Sequence, residues 1–109
     1  MGILTSVDSG SLAMNGSEDI VFSDSSENFV YHGAKIYLDP MQSSDTITIK
    51  VYDWDKVAGS YKIYTIKTLT GVQNSPAWNL PMTPMHRCKV TIQQTAGTNR
   101  TFNWERLSN

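Results

Sequence analysis

The chain has 109 residues and a mass of 12.2 kDa, enough for one hydrophobic core and no second one. A net charge of -1 with only nine basic residues gives no long-range attraction to nucleic acid or to an anionic membrane. One cysteine, Cys88, rules out an internal disulfide, and no apolar run of 18 residues exists to form a transmembrane helix.

Residues 1–10 lack clear periodicity and end in Asp-Ser-Gly, which marks an N-terminal arm leading into a single domain at 11–109. Residues 1–34 hold Asp8, Glu18, Asp19, Asp24 and Glu27 and no Lys or Arg, while all nine bases lie further on. This asymmetry suggests an acidic N-terminal portion set against a basic surface of a neighbouring subunit.

After the arm come eight short runs with β character, at 11–14, 19–24, 28–38, 46–54, 61–69, 77–80, 87–94 and 101–107. Turn chemistry separates them, as in Asn15-Gly16, Asp39-Pro40, Ala58-Gly59-Ser60 and Ala96-Gly97. Their number and spacing predict an all-β, single-domain antiparallel sandwich, jelly-roll-like in the first instance and immunoglobulin-like as the alternative.

The run 46–51 has the clearest alternation, with Ile47, Ile49 and Val51 on one face and Thr46, Thr48 and Lys50 on the other, so it belongs in the middle of a sheet. Tyr52 and Trp54 then place aromatic area on the side that ought to be wet, which calls for a bulge or a second packed surface. The stretch 76–84 carries three prolines with Trp78, Met82 and, just beyond, Met85. Proline cannot donate to a sheet ladder, so this stretch reads as a connection or an edge. A turn of helix near 41–44 or 81–85 also fits. The segment 87–106 alternates twice about Ala96-Gly97-Thr98-Asn99 and reads as a β-hairpin.

Chemistry is sparse. His32, His86 and Cys88 are too few for a structural zinc site, which wants four such ligands. Asp53 and Asp55 flank Trp54 and read as turn aspartates. There is no Gly-x-Ser-x-Gly element and no phosphate-cradling glycine loop. Neither a cofactor, a metal nor a catalytic residue is expected. Tyr52, Trp54, Tyr61 and Tyr64 are the aromatics that a sugar-stacking face would use.

Three segments, Ser11-Leu12-Ala13-Met14-Asn15-Gly16-Ser17-Glu18, 38–47 (Leu38-Asp39-Pro40 onward) and Lys89 to Trp104, together resemble small β-rich proteins encoded beside structural genes in tailed viruses of bacteria and archaea. The resemblance implies a non-enzymatic virion component, most simply a capsid decoration or cement protein that clamps neighbouring capsid subunits. It implies the major capsid protein as partner, a homo-oligomer with three copies favoured, and a place on the capsid surface. Contact candidates on this reading are Ile3, Leu4 and Val7 of the arm, Tyr52 and Trp54, and Trp78, Met82 and Met85. The alternative is a carbohydrate- or receptor-binding sandwich, with neither nucleic acid nor membrane involved.

Overall fold

A computed structural model describes residues 5–108. Eight strands run in chain order: β1 (Thr5–Ala13), β2 (Asp19–Asp24), β3 (Val30–Tyr37), β4 (Thr46–Asp55), β5 (Ser60–Thr70), β6 (Ala77–Met85), β7 (Cys88–Ala96) and β8 (Thr101–Ser108). They form two four-stranded antiparallel sheets, ordered β1-β8-β3-β6 and β2-β7-β4-β5. Among consecutive strands, β4 and β5 alone are hydrogen-bonded neighbours, and every other connection crosses between sheets. This is the jelly-roll order rather than the immunoglobulin one.

The alternation in the sequence becomes the core directly. Ile47, Ile49 and Val51 of β4 and Cys88, Val90 and Ile92 of β7 point inward, against Ala34, Ile36, Leu80 and Phe102 of the other sheet. β4 lies inside its sheet, as its pattern required.

The expected hairpin over 87–106 is instead an arch. β7 and β8 lie in different sheets, so the apolar faces of the two strands meet across the core instead of sharing one. Alternation and a glycine turn are common to both geometries, and only the packing partner separates them.

The boundary expected at residue 10 falls inside β1, because Thr5 already pairs with Ser108. Ile3 and Leu4 lie outside the described residues. The proline-rich stretch forms β6, an edge strand, where prolines cost no central ladder bond. Neither suggested helical turn forms among the described residues.

Candidate functional site

Edges and outer faces are the surfaces open to partners, since the apolar side chains of the two inner faces are buried against one another. Of the four edges, β6 carries Pro81 and Pro84, and β2 has six residues. β1 and β5 are the longer, proline-free edges, of 9 and 11 residues. Short connections set β1 beside β2 and β5 beside β6, which puts the two long edges on opposite sides of the sandwich.

β5 is mostly exposed, including Ile63, Tyr64 and Ile66 at more than half of their full accessibility. Its pairing with β4 shifts at Val51/Tyr52, where Val51 faces Thr65 and Tyr52 faces Ile63, leaving Tyr64 as the bulged residue. The register sets Lys67 opposite Ile49 and so turns it to the inner side of an edge, one of the devices by which sheets discourage indiscriminate pairing.

Aromatic area on the outer face of β4, β5 and β7 forms a continuous band. Arg87 lies 3.8 Å above the Trp54 ring, and Tyr61 meets Trp54 edge-on at 4.9 Å. Lys89 sits 4.7 Å from the centroids of both Tyr52 and Tyr61. At the far end, the Tyr52 and Thr91 hydroxyls each donate to Glu18 Oε2 at 2.6 Å, with Lys50 at 3.6 Å from the other oxygen. The Thr91 and Tyr52 hydrogen bonds hold the Glu18 carboxyl below its ordinary pKa, and the same bond raises that of Tyr52. Cations thus lie over ring faces that a sugar would need, and the rings meet edge-on rather than as a flat platform. Both the bulge and the second packed surface expected around Tyr52 are present.

The remaining contact candidates divide by depth. Val7 is half exposed on β1. Trp78 is partly buried against the core. Met85 is a correction: it is 2% exposed and belongs to the core, because the β3 register sets it opposite Val30 with its side chain inward. The Met82 side chain lies outside the described ones.

The uneven charge along the chain is largely satisfied within it. Glu18 faces Lys50, Asp24 contacts Arg106 at 3.1 Å, and Glu27 lies 3.7 Å from Arg87. Three of the five acids of the first third therefore face bases of the last two thirds of the same chain.

Sequence reasoning did not settle the depth of the two histidines. His32 is 0% exposed, with Asp24 at 3.6 Å from its ring, and burial is the main force lowering its pKa. His86 is buried and stacks on Phe29 at 4.6 Å. Cys88 is fully buried, and desolvation raises its thiol pKa to about 11. Among the described residues no cluster of three or more His, Cys, Asp or Glu side chains is arranged to hold a metal ion.

The fold and its surfaces define a jelly-roll β-sandwich domain with two long, proline-free edges and an aromatic band braced by the chain's own cations. Neither a protein-family model nor a curated protein matches the sequence. Among solved structures, a chain from work on Bacillus endospore appendages, described as a novel family of disulfide-linked pili, superposes with a TM-score of 0.60 at 16% identity. The match covers 97% of this chain and 84% of that one, and at such identity it establishes the fold alone.

Proposed function

We propose that this chain is a non-enzymatic structural subunit that assembles with further copies of itself into an extracellular surface polymer. The observation that carries the reading is the open β5 edge, eleven residues long with Ile63, Tyr64 and Ile66 exposed. A long apolar-faced edge of this kind is a template for strand addition. The similarity in fold to a pilus protein supports the same direction.

Charge selects the partner edge. Two β5 strands would bring Lys62 and Lys67 of each copy together, whereas β1 carries Asp8 and no base. β5 of one copy therefore favours β1 of the next, a head-to-tail contact that leaves both outer edges free to continue. With β1 and β5 on opposite sides of the sandwich, such a contact favours an open chain.

The capsid-cement reading uses the same clamp chemistry on a different partner, and jelly rolls also build viral capsids. One experiment addresses both. Purified protein is concentrated and inspected by negative-stain electron microscopy and light scattering, alone and with virus shells lacking it. Filaments of the protein alone, lost on Ile66→Lys, support self-assembly. Protein that stays single yet coats shells stoichiometrically transfers the reading to the capsid, and failure in both arms overturns it.

A further inference from the structure

The two ends of the sandwich differ in character. One holds the polar, tightly bonded connections around Asp45. The other gathers the β2–β3 connection, the β4–β5 hairpin tip and the two-residue link His86-Arg87 between β6 and β7. These segments lie together because Cys88 stands opposite both Asp24 and Asp53, while Met85, just across the link, stands opposite Val30.

Two complementary apolar features occupy this second end. Val57 at the hairpin tip is fully exposed, on a turn held by Gly59 N donating to Asp55 O at 2.8 Å and Ala58 N donating to Asp55 Oδ1 at 3.0 Å. At full exposure Val57 packs against nothing within the chain. At the same end, on the other sheet, Phe29, Val30, Tyr31 and Pro84 line an open groove of about 330 Å3, with Phe29 69% exposed and stacked on His86. Each feature is flanked by a charge of opposite sign: exposed Lys56 precedes Val57, and Glu27, 60% exposed, lies two residues before Phe29.

We infer that two copies pair end to end, the Val57 tip of each entering the Phe29–Val30–Tyr31–Pro84 groove of the other. A knob and a groove at the same end of the sandwich suit a two-fold contact, in which residue i meets j and j meets i. The symmetry brings Lys56 of each copy to Glu27 of the other, so attraction acts twice. Burial of Val57 and Phe29 supplies the apolar part of the association. This contact uses surfaces apart from the β1 and β5 edges and does not depend on them.

The test is sedimentation of the Ile66→Lys chain, whose edge contact is blocked, across a concentration series at low salt. A reversible dimer is expected, weakened at least tenfold by Val57→Asp and by Tyr31→Asp. Lys56→Glu alone and Glu27→Lys alone each weaken it, and the combined exchange restores it. Thermal melting of each variant by circular dichroism checks folding, because Glu27 also faces Arg87 and His86; if Glu27→Lys unfolds, the Val57 and Tyr31 variants carry the test. A monomer throughout the series, a dimer indifferent to Val57→Asp, or a folded double exchange that fails to restore pairing overturns the inference. The edge-mediated polymer would survive that result, since it is read from filaments of the unblocked chain.

Discussion

Gly97 lies against Asp45 so closely that any Cβ there would land on the Asp45 carboxylate, 2.8 Å from its Cα and 2.9 Å from the Ser44 carbonyl oxygen. Gly97 also has φ of +88°, a left-handed conformation natural to glycine. The contact matters because Asp45, 0% exposed, ties together the connections at its end of the sandwich. Its side chain accepts from Arg100 Nε at 2.7 Å, Gln42 N at 2.9 Å and Thr98 N at 3.2 Å, and its backbone oxygen accepts from Gly71 N at 2.8 Å. The β7–β8 arch can cross between sheets because this carboxylate satisfies the turn from below.

Gly97→Ala should therefore destabilise the fold by more than the ~1–3 kcal/mol of a strained backbone alone, since the methyl group also displaces Asp45. Urea denaturation followed by tryptophan fluorescence measures it. A variant as stable as the parent would show that the arch does not need the close approach.

Asp45→Asn should lower the midpoint of thermal unfolding and remove part of the acid sensitivity. Arg100 is the first cause holding the Asp45 carboxyl below its ordinary pKa, followed by Gln42 N. With the folded value depressed, its stabilisation is present above the unfolded pKa of about 4 and fades as pH falls through the folded value. Melting temperatures compared between pH 6 and pH 3 should fall less steeply in the variant.

His32 acts at a higher pH. Burial lowers its folded pKa, outweighing Asp24, which raises it. Unfolded chains then take up a proton below about pH 6.5 that the folded state refuses. Stability should decline as pH drops from about 7 toward the folded pKa, before the carboxylates titrate. Chemical denaturation at half-unit pH intervals locates the slope, and a folded His32→Gln variant should be flat over that window.

Cys88 cannot join subunits while the fold stands, being fully buried with its thiol pKa near 11. Assemblies should keep their length in millimolar dithiothreitol, unlike polymers held by disulfides. Iodoacetamide at pH 8 should label the chain only after denaturant is added. Filaments that shorten on reduction would contradict the buried placement.

Trp54→Ala removes the ring beneath Arg87 and beside Tyr61. Loss of one cation–π contact and one aromatic pair should cost about 1–2 kcal/mol at this half-buried site. Equilibrium unfolding checks the magnitude. If stability is unchanged while binding to a saccharide array disappears, the band is a ligand site rather than a brace.

Much of this was legible along the chain. The interior position of β4 follows from Ile47, Ile49 and Val51, because alternation at period two records which face is buried. The edge placement of β6 follows from Pro81 and Pro84, and the inert character of Cys88 from its place in an apolar row. Met85 was not legible, since an exposed and a buried methionine beside prolines look alike until a register assigns them. Nor were the partners of Glu18, Asp24 and Glu27, which lie more than thirty residues away in the chain.

The sequence by itself determined the all-β class and the position of most strands, both of which depend on local pattern and residue type. Tertiary structure decided that β7 and β8 form an arch, that β1 and β5 are edge strands, that cations cover the aromatic rings, and that Val57 shares an end with the Phe29 groove. Strand order is set by long-range burial and by polar groups such as Asp45 that satisfy distant loops, and neither leaves a periodic trace in the neighbouring residues.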